Sequence, residues 1–180
     1  AREMWGQKTA DALAWIRSDV GDTRARAALI GPAAEKLVPY ACISNDLKHF
    51  AGRCGLGAVM GSKKLKAVVA RGGQPVPVAE PEAIKELARW MYDNVALSGN
   101  LHIWGTGAIQ EHYVQIGNLP VRNFRDGEYP RVKRQLAQTI QEEMGGTMEA
   151  CYACVVRCKK RVAAESPYHI DPQYGGPEYE

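Results

Sequence analysis

The sequence predicts an α+β chain, with a β-structured first part and a mainly helical second part. Three observations carry that prediction. Before Gly73, short apolar runs alternate with Gly, Pro and Asn, the pattern of brief strands joined by turns. At residues 74–81 the composition changes, and Pro75, Pro77 and Pro81 among valines make an extended connector. Beyond it, apolar residues recur at helical spacing and glycines stand where helices would stop. The expected domains are therefore 1–77 and 78–180. Nothing repeats at the fixed period of a solenoid.

Each element has its own warrant. Thr9–Val20 is predicted as a helix, with Thr9 as its cap, Asp11 near the positive end and Leu13, Ile16 and Val20 on one side. Gly21 and Asp22 end it. Residues 27–31 and 40–44 are expected as strands, and 65–70 as a buried strand closed by Gly72 and Gly73. Residues 49–64 are glycine-rich and irregular, ending in a short helix. Past the connector, Pro81 suits a first helical position, and Ile84, Leu87, Ala88, Met91 and Val95 make an apolar stripe. Ile109, Tyr113 and Ile116 mark a second helix ended by Gly117. Leu136, Ile140 and Met144 mark a third, ended by Gly145 and Gly146.

Composition excludes several classes of function. The 180 residues are 46% hydrophobic, enough for a core, and the net charge of +3 comes without the basic stripe that nucleic acid requires. No apolar run approaches the roughly 18–20 residues of a membrane helix. The chain shows no signal-like start at Ala1, and it stops at Glu180 inside an apparent motif, the expectation for an internal piece of a longer chain.

Chemistry concentrates in two segments. In Cys151-Tyr-Ala-Cys154-Val-Val-Arg-Cys158 three of the five cysteines stand at i, i+3 and i+7, which on a helix would share one face. Three such thiolates suit a [4Fe–4S] cluster completed by a fourth cysteine. Zinc with a further ligand such as His169 is the second reading, and three buried thiols packed as small hydrophobes is the third. Arg157, Lys159, Lys160 and Arg161 would either stabilise an anionic cluster or form a solvated helix face.

The other segment runs from Ala51 to Lys66, where Gly52, Gly55, Gly57 and Gly61 allow close backbone approach and Arg53, Lys63 and Lys64 carry charge for phosphate. A dinucleotide fingerprint is disfavoured because residues 45–50 make no clean strand. A P-loop is disfavoured because Ser62 precedes Lys63. What remains is an anionic ligand on a glycine-lined surface, or a purely structural turn.

Four stretches together resemble the aldehyde:ferredoxin oxidoreductase family of tungsten, sometimes molybdenum, pterin enzymes. They are Ala51-Gly-Arg-Cys-Gly-Leu-Gly-Ala-Val-Met-Gly-Ser-Lys-Lys-Leu-Lys-Ala67, Gly117-Asn-Leu-Pro-Val-Arg-Asn-Phe124, Ala150-Cys-Tyr-Ala-Cys-Val-Val-Arg-Cys158 and Gly176-Pro-Glu-Tyr-Glu180. The resemblance implies the end of a β-structured pterin-binding base domain followed by the start of a helical domain carrying the iron–sulfur triplet. It implies a metal held by two pyranopterins, with Mg2+ linking their phosphates. Arg53, Cys54 and Gly55 would contact the pterin phosphate, the Cys54 carbonyl facing the magnesium. Cys151, Cys154 and Cys158 would bind the cluster, with the fourth cysteine far downstream. Glu180, with Glu178 second, would be the carboxylate beside the metal, taking a proton from water or a hydrated aldehyde. Asn45 and Lys63 are weaker pterin-site candidates, and His169 is expected at the surface.

The expected function is that of a cytoplasmic oxidoreductase which turns aldehydes into carboxylic acids and passes electrons through the cluster to ferredoxin or an iron–sulfur partner subunit. A homo- or hetero-oligomer stays open, and this stretch alone is expected to be inactive. Rival readings are a relative acting reductively on an aromatic thioester, a non-enzymatic iron–sulfur electron-transfer module, and a zinc-stabilised interaction domain.

Overall fold

A computed structural model describes residues 2–176. The chain divides into two units, Ala1–Val76 and Pro77–Glu180.

In the first unit, helix α1 (Thr9–Val20) buries Ala12, Leu13 and Ile16, the apolar positions of its 3.6-residue repeat. Gly21 ends it in a left-handed conformation (φ 69°), its N–H bonded to the Ser18 carbonyl. Lys8, not Thr9, holds the cap position, and no side chain caps the helix. Strand β1 (Arg26–Leu29) sets Ala27 and Leu29 in the same core, and Met4 and Leu47 complete it. Helix α2 (Pro32–Glu35), β2 (Ile43–Asn45), β3 (His49–Ala51), α3 (Leu56–Ser62) and β4 (Ala67–Ala70) follow. The sheet runs β3-β2-β1-β4, and every pair is antiparallel. A second core gathers Ile30, Ala34, Ala41 and Met60 beneath Val38 and Ile43.

Two expectations need correction here. The strand predicted over 40–44 is confined to Ile43–Asn45. Residues 65–70 do not make a buried strand: β4 is an edge, and Val68 is 56% exposed. The stretch 45–50 is no clean strand, as expected: it is the turn of the β2–β3 hairpin, which Asp46 (φ 47°) and Leu47 (φ 72°) make without glycine. Asp46 holds that turn by accepting from the Ala27 N–H (3.1 Å) and from Arg26 (2.8 Å), and Leu47 is buried.

The second unit begins with α4 (Pro81–Asp93), Pro81 at its first position. Among the described residues its apolar stripe is not covered: Ile84, Leu87, Ala88 and Met91 are all exposed. Helix α5 (Asn100–Trp104) lies between Gly99 and Gly105, both at positive φ. A tight turn, Gly105–Ile109, leads into α6 (Gln110–Gln115), which ends before Gly117 (φ 68°). Helix α7 (Ala137–Met144) ends at Gly145 (φ 59°), as its sequence predicts. Strands β5 (Thr147–Glu149) and β6 (Lys159–Arg161) close as an antiparallel pair, with Met148 opposite Lys160. Among the described residues no helix is long and apolar enough to cross a membrane.

Candidate cofactor-binding segments

Arg53, Cys54 and Gly55 occupy the turn between β3 and α3. Cys54 (φ 65°) and Gly55 (φ 64°) are left-handed in succession, and both Arg53 and Cys54 are exposed. A non-glycine residue in that conformation carries roughly 1–2 kcal/mol of strain, so the turn at Cys54 is held by its surroundings. Gly55 admits no side chain, because a Cβ there would run into the Pro39 carbonyl.

The neighbouring glycines have a different use from the one their spacing suggested. A Cβ on Gly57 would lie 2.5 Å from the Cys42 carbonyl oxygen and 2.7 Å from that of Ala41, to which the Gly57 N–H donates (3.0 Å). A Cβ on Gly61 would strike the Ala34 carbonyl. Gly55, Gly57 and Gly61 therefore let α3 close on the protein's own backbone, and only Gly52 of the four has open space. Arg53 precedes α3, and Lys63 and Lys64 follow its far end, seven residues and about 10 Å of helix later at 1.5 Å per residue. Although β3 precedes the turn, its antiparallel pairing rules out the parallel βαβ unit of a dinucleotide fold.

The cysteines lie on the hairpin connection between β5 and β6, not on a helix. The chain turns through Ala153 (φ 57°) and Arg157 (φ 53°), so Cys151, Cys154 and Cys158 are presented by a winding loop. Several contacts pin it. The Cys154 N–H donates to the Cys151 carbonyl (3.1 Å), and Arg157 Nη2 donates to the Met148 carbonyl (2.8 Å). The Nδ1–H of His102 donates to the Val156 carbonyl (2.7 Å). Gly105 (φ 72°) stands so close that a Cβ would be 2.5 Å from the Cys158 carbonyl oxygen. All five cysteines are thiols rather than disulfides. Among the described residues no three of His, Cys, Asp or Glu converge tightly enough to ligate a single metal ion.

The basic residues beside the triplet are not a solvated helix face. Lys159 and Lys160 are buried in β6, Lys160 being 1% exposed, and Arg161 reaches Glu149 (3.6 Å) across the hairpin. Burial of a lysine in a charged strand leaves no periodic signal, so sequence reasoning had no means to find it. His169 is bonded to Glu165 (2.9 Å), which raises the pKa of the imidazole through that hydrogen bond and through the carboxylate charge. Asn45 donates to the His49 carbonyl (3.4 Å) within the β2–β3 hairpin. Glu178 and Glu180 lie outside the described residues.

Two family models divide the chain between them. "Aldehyde ferredoxin oxidoreductase, N-terminal domain" matches residues 1–72, and "Aldehyde ferredoxin oxidoreductase, domains 2 & 3" matches residues 82–180. Between them the two models account for nearly all of the 180 residues. The chain belongs to the aldehyde ferredoxin oxidoreductase family.

Its relatives include the tungsten-containing aldehyde ferredoxin oxidoreductase of Pyrococcus furiosus, 34% identical over all of this chain and 30% of that protein. An aliphatic sulfonate oxidoreductase, WOR-like subunit, from the same organism is 34% identical over 73% of this chain and 21% of its own length. Among solved structures, the active site complex BamBC of benzoyl coenzyme A reductase with 1,5-dienoyl-CoA matches at TM-score 0.59 and 22% identity, over 91% of this chain and 27% of that one. That likeness is one of fold. The chain spans about 30% of the length of the aldehyde ferredoxin oxidoreductase it matches.

Proposed function

We propose that the whole protein is a tungsten or molybdenum bis-pyranopterin iron–sulfur enzyme that oxidises aldehydes to carboxylic acids. The observation that supports this best is the pinned C-x2-C-x3-C loop in a chain 34% identical, end to end, to a tungsten-containing aldehyde ferredoxin oxidoreductase. The donor set fits the cluster. An iron–sulfur cube takes each thiolate on a separate iron and so asks for spaced sulfurs, whereas tetrahedral zinc asks for convergence at about 2.3 Å. Cys151, Cys154 and Cys158 would supply three ligands, with the fourth from outside this stretch.

The turn at Arg53-Cys54-Gly55 suits the phosphate end of a pterin by its chemistry: an exposed guanidinium beside a backbone already committed to a left-handed pair. Arg53 would neutralise phosphate, and the Cys54 carbonyl would face a bridging Mg2+. When bound, the tungstopterin supplies two-electron redox chemistry and the cluster one-electron transfer. The carboxylate of Glu180 would accept the proton of water or of the hydrated aldehyde. Electrons would leave to ferredoxin or to an iron–sulfur partner subunit, an arrangement in keeping with the subunit named among the relatives.

Metal analysis of the full-length protein tests the reading. Tungsten or molybdenum with about four iron per chain supports it. Iron without pterin would make the protein an electron-transfer module, and zinc alone an interaction domain. Glu180→Gln should slow turnover with metal content intact, and unchanged turnover would remove Glu180 from the mechanism. One second reading has an observation in its favour: the fold likeness to a benzoyl coenzyme A reductase complex directs attention to reductive chemistry on an aromatic thioester. Assaying the reduced enzyme with an aromatic thioester and with an aldehyde separates the two.

A further inference from the structure

His102 is half-buried on α5, and its Nδ1–H donates to the Val156 carbonyl, 54 positions along the chain (2.7 Å). Because a carbonyl only accepts, Nδ1 carries the proton whatever the charge of the ring. Three residues on, Gly105 sets its α-carbon against the Cys158 carbonyl oxygen, where a Cβ would be 2.5 Å away. Residues 102–105 thus meet the cysteine loop at Val156 and at Cys158, the neighbours of Arg157 on either side. Arg157 itself is left-handed (φ 53°), a conformation that an ordinary L-residue keeps only when its surroundings hold it.

The consequence follows from the peptide that His102 holds. The Val156–Arg157 bond is trans, and a planar trans peptide directs its N–H opposite to its carbonyl. With the Val156 carbonyl turned to His102, the Arg157 N–H is turned away from α5. The guanidinium of Arg157 is committed to the Met148 carbonyl (2.8 Å), but its backbone N–H donates to no described residue. The loop therefore carries a free donor between the second and third thiols of the triplet. Hydrogen bonds to sulfur are among the factors that set the potential of an iron–sulfur cluster. We infer that His102 is a positioning residue for the proposed cluster: it fixes the Val156–Arg157 peptide and so keeps the Arg157 N–H free to donate to a cluster sulfur. The inference rests on the iron–sulfur reading of Cys151, Cys154 and Cys158, and adds to it a residue outside the motif.

The test compares, in the full-length holoenzyme, two carboxamides of the same chemistry and different reach. In His102→Asn the amide nitrogen takes the place of Nδ1, and in His102→Gln it takes the place of Nε2, which does not face the Val156 carbonyl. The readouts are iron per chain, the cluster's midpoint potential by EPR-monitored titration, and the exchangeable-proton coupling of the reduced cluster by ENDOR in D2O against H2O. His102→Asn should keep the wild-type potential and coupling. His102→Gln should shift the potential to more negative values and lose that coupling, because a donor to sulfur favours the more anionic, reduced cluster. A role confined to packing α5 on the loop would move the melting temperature and leave both cluster readouts unchanged. Wild-type potential and coupling in His102→Gln, or the same shift in both variants, overturns the inference. Where His102→Gln sheds its iron, His102→Asn decides alone: wild-type values support the inference and shifted ones overturn it. Wild-type protein without an iron–sulfur signal would refute the cluster reading itself, and the inference with it.

Discussion

Replacing Lys66 with Met should isolate a buried carboxylate, and the size of the effect follows from its surroundings. Lys66 Nζ lies 2.5 Å from Glu35 Oε1 and also donates to the Gln7 carbonyl (2.9 Å). Glu35 Oε2 accepts from the Gly6 N–H (2.8 Å). The two side chains are 2% and 5% exposed, so desolvation is nearly complete. Removing one partner of such a pair costs about 3–5 kcal/mol, because the survivor stays buried with its charge unmet. Lys66→Met leaves Glu35 with only the Gly6 N–H, and Glu35→Leu leaves the ammonium with only the Gln7 carbonyl. The double variant removes both charges and leaves only two neutral backbone groups unpaired, the Gln7 carbonyl at a cost of about 1–3 kcal/mol and the Gly6 N–H, whose residue is exposed and regains water. Its cost should therefore fall far below the sum of the single variants, a coupling that a double-mutant cycle isolates. The assay is native-state hydrogen exchange at Ile30, whose N–H donates to the Lys66 carbonyl (3.0 Å), since local opening energies need no two-state assumption for a large protein. A single variant costing under about 1 kcal/mol, the range of surface pairs, would refute the reasoning. So would a double variant no more stable than Lys66→Met.

Three further outcomes are expected. Gly105→Ala combines a positive φ with a Cβ 2.5 Å from the Cys158 carbonyl oxygen, so about 2–4 kcal/mol of strain should fall on the cysteine loop, lowering bound iron and altering the EPR signal of the proposed cluster. Full iron and an unchanged spectrum would show that Cys158 does not depend on that contact. Gly57→Ala should lower the melting temperature by forcing α3 from the Ala41 and Cys42 carbonyls, while Gly52→Ala, facing open space, should not; equal effects would contradict the close approach. The pKa of His169 is raised by Glu165, so the stabilisation from this pair is complete below the unfolded pKa of about 6.5 and fades as pH rises through the higher folded value. Glu165→Gln should lower the His169 midpoint in an NMR titration, and identical midpoints would dismiss the pair.

How far such features can be foreseen depends on whether a residue's conformation is written in its chemistry. Helices α1, α6 and α7 are legible because each joins a 3.6-residue apolar repeat to a glycine that ends in the left-handed region: Gly21, Gly117 and Gly145. The β2–β3 hairpin is not, because Asp46 and Leu47 adopt positive φ as ordinary L-residues, stabilised by bonds from Arg26 and Ala27 that are distant in sequence. Burial fails in the same way. The valines of β4 satisfy every strand criterion, yet the sheet order leaves them on an edge, and order is a tertiary fact.

The cysteine segment shows the distinction most clearly. Its spacing of i, i+3 and i+7 is as compatible with a helix face as with a loop that folds around a cluster. Ala153 and Arg157, which turn the chain left-handed, are good helix formers by propensity, so local preference argues for the wrong element. What overrides it is the setting: the Met148 carbonyl receives Arg157, His102 holds Val156, and Gly105 gives the Cys158 carbonyl its room. A thiol triplet in a helix would need no such support from residues fifty positions away. These outside contacts are therefore the part of the loop whose loss should matter most, and none of them lies inside the motif that first drew attention to it.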